Sequence, residues 1–198
     1  MRGRRDNKDF IVGYWGGYIP LHGVEFMLRA FKHLEKYDDI YFSMIGKGQT
    51  YEKNLKLAQE LNIKNIEFIP KLFLKKDLEK LPEIISNFDI GLGLFGRSIK
   101  TLLAIPNKVF EGLAMKIPMI TSKSPAINEL LSDKENIILC ERANPKSLAK
   151  AIIRLKEDED LISRIKEEGF KLFKNYLTSK EIGKKLINVL DGIIRKGS

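Results

Sequence analysis

Short runs of apolar residues recur along this chain, and an amphipathic stretch follows almost every one. DFIVGYWG (9–16), IYFSMIG (40–46), IEFIP (66–70), DIGLGLF (89–95), IPMITS (117–122) and NIILC (136–140) are nearly continuously apolar. A strand with one wet face would alternate apolar and polar side chains. Continuous runs suit strands covered on both faces, as in a parallel sheet between two helical layers. The stretches between them fit those layers. GVEFMLRAFKHLEKY (23–37) places Val24, Met27, Leu28, Phe31 and Leu34 on one helical face. Further helices are expected over 51–62, from Lys76 to Ser86 despite Pro82, over 106–116 with Pro106 at the favoured first position, and near 125–132. From Pro145 onward only helical patterns remain, with breaks near Glu157 and Thr178.

A length of 198 residues suits one α/β domain and is short for two. With no repeat and no low-complexity linker, the expectation is one domain over 1–198. Residues 1–8 would be a flexible basic leader, and 145–198 a helical tail that wraps the domain. MRGRRDNKDF has no apolar core behind its charges, so it is not a secretory signal. The single cysteine, Cys140, excludes an internal disulfide, fits a reducing cytosol and reads as a small apolar residue at a strand end.

The net charge of +9 raises nucleic acid as a ligand. The lysines, however, mostly alternate with glutamates on helices, as in KEDEDLISRIKEE, the pattern of a solvated face. No aromatic-plus-basic RNA-binding sheet and no recognition helix is legible, so nucleic acid stays the minority reading. The excess charge suits a phosphate-bearing small ligand, or attraction to anionic lipid headgroups on the inner membrane face.

In open parallel sheets ligands bind beyond the C-terminal ends of the strands, so those loops carry the functional reading. The first, GGYIPLHG (16–23), brings Gly16 and Gly17 to a helix start; it fits backbone approach to a phosphate, or a plain tight turn. The second is IGKGQ (45–49). The third carries Gly96, Arg97, Lys100 and Lys108 around a helix start at Pro106, and cations beside a helix N-terminus make an anion site. Taken singly, each of those cations is more often just solvated. Glu111, one turn into that helix, can accept two hydrogen bonds from a ribose diol, and Gly112 after it would let a ligand or a strand come close. No HxxxH, carboxylate cluster or cysteine pair suggests a metal.

IPNKVFEGLAMKIPMITSKSPAINELL (105–131) resembles the donor-site segment of the retaining GT-B glycosyltransferases of family 4. YWGGYIPLHGVEFMLRAFKHL (14–34) is similar to that family's first strand, glycine loop and first helix, and MIGKGQTYEKNLKLAQELNIKNIEFIP (44–70) to its second and third strands. The resemblance implies a Rossmann-like half-domain that binds a nucleoside-diphosphate sugar, without cofactor or metal, and works in the cytoplasm, as in polysaccharide biosynthesis. Carried over by position, Glu111 would bind the nucleotide ribose, the Asn107 and Lys108 N–H groups would face the diphosphate, Gly16 would be the loop glycine, and Pro70 and Lys71 would flank the base. Three positions depart from the pattern. Leu103 stands where the sugar-side glutamate is expected, and Gly17 and His22 stand where a phosphate-binding arginine and lysine are expected. His22 with a raised pKa, or Lys108, Arg97 or Lys100, would supply the lost charge. The resemblance reaches only the second of the two domains of a GT-B enzyme, which implies an acceptor domain or a separate acceptor subunit elsewhere. A non-catalytic donor-binding subunit, a fragment of a GT-B sugar-nucleotide epimerase and a nucleic-acid-binding α/β domain are the rival readings.

Overall fold

The computed structural model describes residues 9–70 and 79–196. The leader 1–8, Lys71 and the first residues of the helix expected from Lys76 fall outside them. Six strands, β1 (Phe10–Trp15), β2 (Ile40–Ile45), β3 (Ile66–Ile69), β4 (Ile90–Leu92), β5 (Met119–Ser122) and β6 (Ile138–Cys140), form one sheet. Every pairing is parallel and the order is β3-β2-β1-β4-β5-β6. The helices are α1 (Val24–Lys32), α2 (Tyr51–Glu60), α3 (Leu81–Ile85), α4 (Asn107–Ala114), α5 (Pro125–Asn128), α6 (Pro145–Glu157), α7 (Glu159–Leu172) and α8 (Ser179–Lys196).

Strand β1 sorts its side chains by the period of two. Val12 and Tyr14 enter the core cluster that also holds Phe31, Phe42 and Ile152, on the side covered by α1, α2 and α6. Trp15 enters the opposite cluster with Ile85, Phe88, Val109 and Met119, on the side of α3 and α4. The apolar face expected for α1 is buried in full; Val24, Met27, Leu28, Phe31 and Leu34 are each at most 2% exposed. The helix is shorter than expected because its last turn tightens, with the Leu34 N–H donating to the Phe31 carbonyl. Cys140 is buried and free, and burial pushes its thiol up to about 12.

Three local expectations change. Pro106 is the N-cap and not the first helical residue: its φ of −73° and ψ of 145° are extended, and α4 begins at Asn107. Gly112 serves a strand and not a ligand, since a Cβ there would lie 2.2 Å from Met119 Sδ on β5. The tail wraps only in part. α6 packs on α1 and α7 on α4, but α8 leaves Ile182, Leu186, Val189 and Ile193 each 53% exposed or more.

The chain leaves β1 outward to β2 and β3, then returns to β4 on the other edge of β1. The loops after β1 and β4 therefore part at the C-terminal end of the sheet and open a crevice there. Backbone bonds tie the first two loops together, Gly16 N–H to the Ile45 carbonyl and Tyr18 N–H to the Lys47 carbonyl. Gly46 makes this close approach workable. Its φ is +141°, and a Cβ on it would sit 1.9 Å from the Gly16 carbonyl oxygen. Gly46→Ala should destabilise the chain by about 2 kcal/mol or more in denaturant unfolding. Gly192→Ala, which meets nothing within 4 Å in the exposed α8, should raise helix content and stabilise that helix by about 0.5–1 kcal/mol.

Candidate functional site

A cavity of about 430 Å³ opens in this crevice. Gly16 and His22 line it from the β1 loop, Leu94 and Ile105 from the β4 side, and Asn107, Lys108 and Glu111 from the first turns of α4. A larger cavity, about 540 Å³, lies at the opposite end of the sheet around Phe88, Asp89, Lys116 and Lys166. None of the strand-end loops reaches it, and its exposed Lys116 is already paired with Glu167 at 3.0 Å.

Sequence gives α4 its place in the smaller cavity. Pro106 turns the chain into the helix, so the N–H groups of Asn107 and Lys108 have no intrahelical acceptor and carry the positive end of the helix dipole. Val109 and Leu113, 0% and 1% exposed, lock the helix onto the sheet. Glu111 is half-buried and held from below, because Trp15 Nε1 donates to its Oε2 at 2.6 Å. Trp15 is itself fixed by stacking on Phe88, with ring centroids 5.9 Å apart. One carboxylate oxygen is thereby anchored, and the other keeps its accepting capacity.

The loop after β1 is organised by a small polar knot. Tyr14 Oη donates to the Gly17 carbonyl at 2.7 Å and lies 2.8 Å from His22 Nδ1. His22 Nδ1 also meets the Gly17 carbonyl. A carbonyl only accepts, so Nδ1 carries the proton and Nε2 is left as an acceptor. His22 ends a short 3₁₀ turn, Pro20–His22, and the Phe95 N–H donates to its carbonyl at 3.1 Å, which ties the β1 and β4 loops together. Lys108 runs beneath this loop: Nζ lies 4.1 Å from the centroid of the Tyr14 ring and 3.5 Å from His22 Nδ1.

These positions revise the charges expected of the site. Burial pushes the His22 imidazole down to about 4, the nearby Lys108 ammonium adds to the effect, and the Gly17 carbonyl opposes it. His22 is therefore not a cation with a raised pKa; it is neutral at physiological pH. Lys108 is not a solvated lysine, being 5% exposed, and burial pushes it down to about 7 against the pull of Glu111. Arg97 and Lys100 are exposed and do not line the cavity; Arg97 packs its guanidinium over Phe26 on α1. Pro70 is exposed at the end of β3, beyond Gly46, and lines no part of the cavity. Gly17 contributes its carbonyl to the knot, and Leu103 is 75% exposed just before α4. Among the described residues no three His, Cys, Asp or Glu side chains gather as a metal site. Tyr14 and Trp15, the two aromatics that hold the site, were not anticipated. The signal was present, since adjacent strand residues before a glycine pair must face opposite layers.

The chain matches the family model described as glycosyl transferases group 1 over residues 9–158. It is 25% identical over 172 residues to an uncharacterized glycosyltransferase of Methanocaldococcus jannaschii, covering 83% of this chain and 43% of that protein. It is 24% identical over 155 residues to the chitobiosyldiphosphodolichol beta-mannosyltransferase of Candida albicans, covering 76% and 33%. Among solved structures, Anabaena HepE in complex with UDP-glucose superposes with a TM-score of 0.78 at 16% identity, over 93% of this chain and 49% of that one. The chain spans less than half the length of these relatives.

The state of His22 can be read directly. In a proton NMR titration its ring should show a midpoint near pH 4, and Lys108→Met should move that midpoint upward by removing the neighbouring ammonium. A midpoint near the ordinary 6.5 would show that the ring is not held as described. In unfolding experiments the same group should favour the folded state above pH 6.5 and lose that contribution as pH falls toward 4.

Proposed function

The chain belongs to the glycosyl transferases group 1 family, and from that premise we propose that it is the donor-binding half of a retaining glycosyltransferase. Its ligand on this reading is a nucleoside-diphosphate sugar. The observation that carries it is the convergence of an anchored carboxylate and an open helix N-terminus in one strand-end cavity. The free oxygen of Glu111 accepts from the ribose diol. The N–H groups of Asn107 and Lys108 take the diphosphate, and the glycines of the first loop allow its close approach. As the glycosidic bond to the diphosphate breaks, negative charge grows on the leaving group, and these fixed donors stabilise it without reorganising. The structures of HepE with UDP and with UDP-glucose support a nucleotide sugar as ligand.

On the same reading residues 9–196 act as one donor-binding unit, and the acceptor is held by a domain or subunit outside this chain. Coverage of less than half of each relative supports that division. No described helix is long and apolar enough to cross a membrane. Exposed apolar residues of α8 with Lys180 and Lys185 beside them support contact with an anionic membrane face, on the proposal of a cytoplasmic location.

Calorimetric titration tests the assignment. Glu111→Ala should weaken nucleoside-diphosphate binding by about 1.5–3 kcal/mol, the worth of a charged hydrogen bond, and Glu111→Gln by less because one acceptor remains. Equal affinity for wild type and Glu111→Ala would end the ribose role. With Leu103 on the sugar side, the sugar nucleotide and the bare diphosphate should bind within about threefold of each other. A preference for the sugar nucleotide of about 100-fold would show that another residue grips the sugar.

A further inference from the structure

Lys108 is a buried lysine, 5% exposed, with no carboxylate within ion-pair distance among the described residues. The nearest acid on its own helix, Glu111, is engaged with Trp15. The nearest nitrogen, His22 Nδ1 at 3.5 Å, already directs its proton at the Gly17 carbonyl and cannot accept another. What remains is the face of the Tyr14 ring, 4.1 Å from Nζ, which is a weak substitute for solvation. An isolated buried charge of this kind is costly, and such costs are characteristic of functional sites.

The group is also aimed at the cavity. Lys108 lines it, and its Nζ lies close beneath Gly16, which lines it from the β1 loop. A Cβ at Gly16 would come within 3.1 Å of Nζ, so a side chain there would crowd the ammonium. We propose that Lys108 is the cation that meets the diphosphate of the bound nucleotide, and that it takes up a proton as the nucleotide binds. This deepens the nucleotide-binding reading above and rests on it.

The groups facing Lys108 are Tyr14 from β1, His22 from the 3₁₀ turn and Glu111 from α4. Burial keeps the Tyr14 phenol protonated and His22 neutral near pH 7, so Glu111 is the acidic partner among the three. Burial holds Lys108 itself at about 7, far below an ordinary lysine, so the uncharged amine comes within reach near neutrality. A diphosphate placed against it favours the ammonium and draws a proton from solvent. The sign follows from linkage. Affinity is greatest below pH 7 and falls as pH rises above it, by up to about tenfold per pH unit while the free amine is neutral and the bound one is charged.

The test is isothermal titration of the chain with UDP, GDP and ADP at pH 8, in two buffers that differ in ionisation enthalpy. At that pH the terminal phosphate is already ionised, so any proton taken up goes to the protein. Expected is an uptake approaching one proton per nucleotide, because a group at about 7 is mostly neutral at pH 8. Lys108→Met keeps an apolar stem against Tyr14; it should bind about 10–100-fold more weakly at pH 7, with no uptake and a flat affinity from pH 7 to 8.5. Lys108→Arg stays charged at every pH and should bind without uptake. Wild-type binding without proton uptake, or uptake that survives in Lys108→Met, overturns this inference and leaves the nucleotide reading standing. A wild-type chain that binds none of the three nucleotides overturns both.

Discussion

Strand β1 is hydrogen-bonded on both edges, to β2 through six residue pairs and to β4 through Val12 and Gly13. It lies at the centre of the sheet with helices over each face, so almost nothing about it is adjustable. A shift of one residue would exchange Tyr14 with Trp15 and reverse which layer each ring fills. Both rings also hold polar groups at the cavity. Tyr14 reaches one side to hold the Gly17 carbonyl and back the Lys108 ammonium, while Trp15 reaches the other to hold Glu111. The register of one buried strand therefore sets the positions of a carboxylate and a cation that lie on a different element, α4. Phe88 reinforces the register, because its ring fills the space that a side chain at Gly13 would need.

Burial, more than charge count, decides the electrostatics of the crevice. The chain carries nine more cations than anions, yet the cations that line the cavity do not come from the exposed majority. Arg97 and Lys100 are drawn to the surface, where water solvates them better than the crevice can. Lys108 cannot withdraw, since its stem leaves a helix whose next residue, Val109, is fully buried. His22 is neutralised by the same dry surroundings. The field at the mouth of the cavity is thus made by oriented backbone N–H groups and one buried nitrogen.

The layers and the order of elements were legible because continuous apolar runs report burial on both faces directly. Element ends were less so. Pro106 was placed one position too far into its helix, since proline satisfies both the capping position and the first turn and only ψ separates the two. Glu111 and the helix that carries it could be located from spacing and family likeness. The condition of Lys108 could not, because it depends on a ring from β1 and a turn from the loop after it, brought together although Tyr14 and Lys108 are 94 positions apart. His22 misleads for the same reason: a histidine near a glycine loop suggests a cation, but burial in the folded crevice suppresses its charge, and the ammonium that adds to the effect belongs to a distant part of the sequence.

The last helix has a different bearing on the molecule. Along α8, Ile182, Leu186, Ile187, Val189, Leu190, Ile193 and Ile194 stay 48–66% exposed. A contiguous apolar stripe of that size is far more adhesive than scattered surface leucines. Colloidal behaviour is accordingly set by a part of the chain remote from the cavity. Raising the protein concentration promotes self-contact along this stripe, and the repulsion between like-charged molecules that resists it fades as salt is added. The fold beneath can be entirely intact while the solution becomes turbid, so loss of clarity alone does not signal unfolding here.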